Sequence, residues 1–161
     1  MKRLSLLRHA TADWDETVDD IERPLSLRGR AEAARVGKAL NGTHFDLILC
    51  SPALRTRETL ERLDLAAPVR IEPVIYEAAA PEWMRLIAAV GDDVQSLLLV
   101  GHMPSIVAMS LDLTQGDRSS FRHDVEHRFQ PASLAAMELD IERWAELGSG
   151  CGRFTDVRFP N

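Results

Sequence analysis

Arg8-His9, Ser51 to Arg55 and Gly101-His102 are three short stretches in which phosphate-binding and nucleophilic residue types directly follow apolar runs. Displacement at a phosphate monoester or phosphoramidate needs a nucleophile in line with the leaving group and positive charge around the equatorial oxygens. Arg8 and Arg55 offer planar forks of donors that match phosphoryl oxygens. Ser51-Pro52 reads as a helix start with Pro at the first helical position, which would turn free backbone N–H groups toward the same anion. Either His9 or His102 can be the nucleophile, because a neutral imidazole attacks phosphorus and nearby guanidinium groups favour the neutral form. The other can then donate to a phosphoryl oxygen in the transition state. The residues alone leave open which histidine does which.

For positions so far apart to meet, the elements between them must return to one edge. Leu4 to Leu7, Leu47 to Cys50, Val69 to Ile71 and Leu97 to Val100 read as short buried strands. Helices are expected from a Ser26 cap to about Leu40, from Ser51-Pro52 to about Leu63, from Pro81 to about Val90 and from Pro104 to Leu113. Leu134 to Leu139 and Phe154 to Phe159 read as two further strands, with a helical turn near Glu142 to Leu147; the segments Thr11 to Glu22 and Thr114 to Pro131 read as polar and irregular. Alternating strands and helices imply an α/β fold with a mixed, mainly parallel sheet covered on both faces. Ligands of such sheets bind beyond the carboxyl ends of the strands, where the three stretches fall.

Leu7-Arg8-His9-Ala10, Arg23-Pro24-Leu25 with Gly29, Ser51-Pro52-Ala53-Leu54-Arg55-Thr56-Arg57-Glu58-Thr59 and Val100-Gly101-His102-Met103-Pro104 occur in an order and spacing that resembles the histidine phosphatase superfamily. More narrowly, the chain resembles the SixA-type phosphohistidine phosphatases, which are short and carry an Arg-Pro-Leu element ahead of the first helix. The resemblance runs from Leu4 to about Asp140 and implies a three-layer α/β/α, phosphoglycerate mutase-like fold. It implies His9 as the nucleophile that becomes phosphorylated, with Arg8, Arg55 and His102 as the phosphate pocket and Arg23 as a further pocket residue. Ala10 and Thr56 depart from the Gly and Ala often found at those places, and both are small. In mutase-like branches a Glu after the third strand protonates the leaving oxygen. Glu77 falls there, and Asp13, in the loop after His9, is a second candidate acid.

Composition narrows the partners. A chain of 161 residues is expected to form one domain spanning 1–161. A net charge of −6 gives no electrostatic reason to expect nucleic acid. The apolar opening is shorter than a signal-peptide core, and no run approaches the roughly 20 residues needed to cross a bilayer, so a cytoplasmic location without membrane contact is expected. Cys50 and Cys151 stand alone, and no cofactor or metal is required, since guanidinium groups supply the positive charge. His123-Asp124-Val125-Glu126-His127 matches an inverted zinc-peptidase pattern, yet it sits in a polar stretch with no third ligand evident. Three functions remain: a phosphatase for protein phosphohistidine, a phosphatase for a small phosphorylated metabolite, or a non-catalytic phosphate-binding module. The short chain, with only 114–131 available as a lid, favours the protein substrate. The sequence does not specify an oligomeric state.

Overall fold

The computed structural model describes residues 1–160. Strands and helices alternate: β1 (Lys2–Arg8), α1 (Leu27–Ala39), β2 (Leu47–Cys50), α2 (Leu54–Leu63), β3 (Val69–Ile71), α3 (Pro73–Glu77), α4 (Ala80–Ala88), β4 (Ser96–Gly101), α5 (Ser105–Leu113), α6 (Ser120–Arg128), β5 (Leu134–Leu139) and β6 (Gly152–Arg158), with 3-10 turns at Asp20–Glu22 and Trp144–Glu146. The strands form one sheet in the order β3-β2-β4-β1-β5-β6. The first four are mutually parallel, whereas β5 pairs antiparallel with β1 and β6 with β5.

Because side chains alternate across a strand, residue parity sorts the core into two layers. Leu4, Leu6, Leu47, Leu49, Leu97 and Leu99 face one side, where they meet Ile75, Trp83, Ile87, Ile106, Met109 and Val125 from α3 to α6. Leu7, Ile48, Cys50, Leu98 and Val100 face the other and meet Leu40, Phe45 and Leu63, with Val36 and Leu60 from α1 and α2 packed against them. The result is a three-layer α/β/α architecture, with helices on both faces of a mixed sheet. No helix among the described residues is long and apolar enough to cross a membrane.

Register positions the site. Leu7 lies opposite Val100 and Val100 opposite Cys50, so β1, β4 and β2 end level with one another. Arg8, Gly101 and Ser51 come next, followed by His9 and His102. The Gly101 Cα is pressed against the core, because a Cβ there would stand 2.7 Å from the Trp83 ring. Gly29 is equally constrained: a Cβ would overlap the Thr11 carbonyl oxygen, so α1 can lie directly on the loop that follows His9.

Three expectations change. Residues 114–131 are not irregular, since they contain α6, anchored by buried Val125 and Phe129 four residues apart. So few apolar positions in a polar stretch give little periodic signal. The second helix begins at Leu54 with Ala53 at its cap, so Pro52 precedes it and Ser51 does not cap it; the Ser51 hydroxyl instead accepts the Ala53 N–H at 3.2 Å. A short helix, α3, follows β3 and carries Glu77 at its end.

Candidate active site

The His9 ring makes one hydrogen bond, from Nδ1 to the Ala10 carbonyl at 2.7 Å. A carbonyl can only accept, so Nδ1 carries the proton and Nε2 keeps a free lone pair. Burial, with the charges of Arg55, Arg8 and Arg23, lowers the His9 pKa to about 4, although the Ala10 bond opposes this. Its ring centre lies 5.4 Å from that of His102, whose pKa falls to about 3 through burial, His9 and Arg55. Both imidazoles are therefore neutral at pH 7.

His102 Nε2 bonds the Ser51 hydroxyl at 2.8 Å, while its Nδ1 is buried without a partner. Arg8 is tied by Nη1 to the Phe129 carbonyl at 2.8 Å, and its Nε is likewise buried and unpartnered. Buried polar atoms are nearly always paired, so these two nitrogens beside His9 have hydrogen-bonding capacity to offer a ligand. Arg55 is 7% exposed and grips Asp20 twice, with Nη1 on the carbonyl at 2.8 Å and Nη2 on the carboxylate at 3.1 Å. Arg23 reaches the other Asp20 carboxylate oxygen at 3.1 Å.

The stretch from Ser51 to Thr59 supplies more positioning than chemistry. Thr59 accepts the Ala10 N–H at 3.0 Å and donates to the Arg55 carbonyl at 2.7 Å. Glu58 accepts the Leu25 N–H at 3.0 Å, and Thr56 closes the turn before α2 onto the Ser51 carbonyl at 2.9 Å. On the opposite side Glu32, buried in α1, holds the Thr11 N–H at 2.9 Å. The backbone on both sides of Arg23 and after His9 is thus fixed by α1 and α2.

Sequence reasoning placed His9, Arg8, Arg55, His102 and Arg23 together, and the fold assembles all five. It does not bring the two candidate acids into the cluster through their carboxylates. Glu77 is exposed at the end of α3, and among the described residues it makes no side-chain hydrogen bond with the cluster. Asp13 is exposed as well and contributes its carbonyl, which accepts Arg23 Nε at 3.0 Å. Two residues not singled out in the sequence join instead. Tyr76 donates to Asp20 at 2.8 Å and presents its ring edge to His102, with centres 5.7 Å apart at 70°. Asp20 is the acceptor shared by Tyr76, Arg23 and Arg55. The one available signal was that Tyr76 is the only tyrosine in the chain.

The zinc-like pattern becomes a helical pair on α6, with the His123 and His127 rings 4.5 Å apart and both exposed. Among the described residues no three His, Cys, Asp or Glu side chains are grouped so as to hold a metal ion.

A family model described as the histidine phosphatase superfamily (branch 1) matches residues 4–96. The chain belongs to that superfamily. Membership makes this histidine phosphatase an enzyme rather than a passive phosphate-binding module. An uncharacterized protein of Mycobacterium tuberculosis is 32% identical over 158 residues, covering 96% of this chain and 99% of its own. Among solved structures, the protein named for phosphohistidine phosphatase SixA from Nakamurella multipartitia superposes with a TM-score of 0.89 at 30% identity, covering 99% of this chain and 96% of that one. The SixA-named protein from Agrobacterium tumefaciens gives 0.82 at 28% identity, with 99% and 98% covered. This histidine phosphatase is therefore similar in structure, over nearly its whole length, to the SixA-type branch.

Proposed function

We propose that this enzyme removes phosphate from protein phosphohistidine through a covalent phosphoenzyme on His9. The observation that carries the mechanism is the tautomer of His9: its proton is committed to the Ala10 carbonyl, which leaves Nε2 unprotonated. Nε2 attacks phosphorus and the bond to the leaving nitrogen breaks; the substrate ring, protonated on its other nitrogen, departs as neutral imidazole, and the phosphoryl group moves to His9. Water then attacks the same phosphorus, releasing inorganic phosphate and restoring the neutral imidazole. Arg8 and Arg55 hold the equatorial oxygens, with Arg23 at the rim. Ser51 Oγ accepts from Ala53 and lies 2.8 Å from His102 Nε2; in the tautomer where the hydroxyl donates to Nε2, His102 Nδ1–H is free to donate to a phosphoryl oxygen.

The acids near the site support this substrate class. Glu77 and Asp13 are exposed, and among the described residues neither carboxylate hydrogen-bonds to the cluster. Asp20 lies within it but is ionised: partial burial pushes its pKa up, yet hydrogen bonds from Tyr76, Arg23 and Arg55 prevail and hold it at about 2. An alkoxide leaving group requires a proton donor, whereas an imidazole, with a pKa of about 6.5, departs with far less help. The names of both solved relatives agree with a phosphohistidine substrate. A cytoplasmic location fits such a partner.

A rapid-quench experiment at pH 7 tests the reading, offering a phosphohistidine peptide and a sugar phosphate in parallel. An acid-labile, base-stable phosphate on His9 from the peptide alone is expected. Labelling from the sugar phosphate alone would transfer the enzyme to metabolite chemistry.

A further inference from the structure

The Asp20 carboxylate occupies the point where three donors of the site, from Arg23, Arg55 and Tyr76, converge. One oxygen accepts from Arg55 Nη2 at 3.1 Å and Tyr76 OH at 2.8 Å, the other from Arg23 Nη1 at 3.1 Å. The Asp20 carbonyl takes Arg55 Nη1 at 2.8 Å. A carboxylate and a phosphoryl group make the same demand on a guanidinium fork, so this arrangement satisfies with a side chain what a substrate would satisfy with phosphate. Asp20 belongs to a 3-10 turn in the loop after His9, and its side chain is 51% exposed. It can swing into water without stranding a buried charge, whereas Arg55, 9% exposed at its side chain, cannot. The Tyr76 ring, edge-on to His102, places the phenol at the same pocket.

We propose that Asp20 is an intramolecular stand-in for the phosphoryl group and that Tyr76 is a further phosphoryl-oxygen donor, so that substrate displaces the carboxylate and takes over Arg23, Arg55 and the Tyr76 hydroxyl. The inference rests on the reading of this cluster as the phosphoryl site. Two effects follow. Apparent affinity for any oxyanion is reduced by the fraction of molecules in which Asp20 holds the donors. The carboxylate also offsets one of the two guanidinium charges between turnovers, which limits their mutual repulsion and their capture of adventitious anions. The carboxylate stays charged across the neutral pH range, so displacement is driven by the arriving anion rather than by protonation.

The competing description makes Asp20 a strut that aims Arg55 at substrate, and it predicts the opposite sign. Binding of inorganic phosphate to the full chain, followed by titration calorimetry at pH 7, separates the two. Asp20→Ala is expected to tighten phosphate about three- to ten-fold, the range for releasing a partly exposed ion pair. Adding Tyr76→Phe to that variant, where no competitor obscures the donor, is expected to weaken phosphate about three- to ten-fold again. Weaker or unchanged binding by Asp20→Ala overturns the stand-in, and unchanged binding on adding Tyr76→Phe overturns the donor. Arg55→Ala separates the two levels of argument: loss of binding there keeps the phosphoryl site, whichever way Asp20→Ala moves. Phosphate binding that survives Arg55→Ala removes the site and this inference with it. Circular dichroism melts establish that each variant folds, and Asp20→Asn, which keeps the shape but not the charge, replaces Asp20→Ala if the latter does not.

Discussion

β1 carries a cation near each end, and the two ends treat their cations oppositely. Lys2, 1% exposed, donates to the Asp92 and Val94 carbonyls at 2.7 and 2.9 Å and lies 5.7 Å from the centre of the Trp144 ring. Trp144 Nε1 donates to the same Val94 carbonyl at 2.8 Å. Arg8, six residues along the strand, anchors one nitrogen on the Phe129 carbonyl and leaves Nε buried without a partner. Burial lowers its pKa with no acidic side chain to compensate. One end of the strand is closed and holds the sheet to the 92–94 turn and the Trp144 region. The other keeps donors in reserve beside two neutral imidazoles. A buried cation is thus no indicator of function by itself; the indicator is whether its hydrogen-bonding capacity is already spent.

The largest effect expected at the open end comes from His9→Ala, which removes the nitrogen proposed to attack phosphorus. Turnover of a phosphohistidine peptide should fall at least about a thousand-fold, with the thermal unfolding midpoint little changed. A variant that retains near-wild-type turnover would remove His9 from the mechanism. At the closed end Lys2→Ala should do the reverse, costing about 2–4 kcal/mol in a urea titration because two charge-assisted hydrogen bonds and the aliphatic stem are lost. Its kcat should stay within about two-fold of wild type once the protein is folded; a large drop in kcat at unchanged stability would abolish the contrast between the ends.

Acid sharpens the comparison next. His9 and His102 titrate in the folded chain at about 4 and about 3, below the unfolded value of about 6.5. Between those values the unfolded chain binds more protons than the native one, so stability should fall as pH drops from about 6.5 toward 3 and should be flat with respect to these groups above about 7. Urea midpoints at pH 7.5, 5.5 and 4.5 test this, and His102→Ala should make the slope shallower. Asp20, held at about 2, adds its own loss only as pH falls below the unfolded carboxylate value of about 3.9. The smallest effect is expected from Glu77→Gln, less than about two-fold in turnover of the phosphohistidine peptide, since the exposed carboxylate makes no hydrogen bond to the cluster. A hundred-fold loss would reinstate it as the acid.

Much of this was legible in the sequence for specific reasons. Apolar runs of four residues led into Arg8-His9, Ser51 and Gly101-His102, and a parallel sheet with level strand ends can only bring such endings to one edge. Periodicity failed where apolar residues were few: α6 is anchored through Val125 and Phe129 four positions apart, and α3 spans five residues. Side-chain hydrogen bonding misled at Ser51, whose hydroxyl serves His102 and the Ala53 N–H rather than capping α2.

The sequence by itself determined the family, the layering and the identities of the two histidines and three arginines, because residue type and strand periodicity are local properties. Only the tertiary structure decided which imidazole nitrogen is free, which donors lack partners, and that Asp20 and Tyr76 stand inside the site. Those facts depend on contacts such as Arg8 with the carbonyl of Phe129, 121 residues away, and Tyr76 with Asp20, 56 residues away. A single polar residue in a loop leaves no periodic trace, and its partner is chosen by the packing of the helices around it.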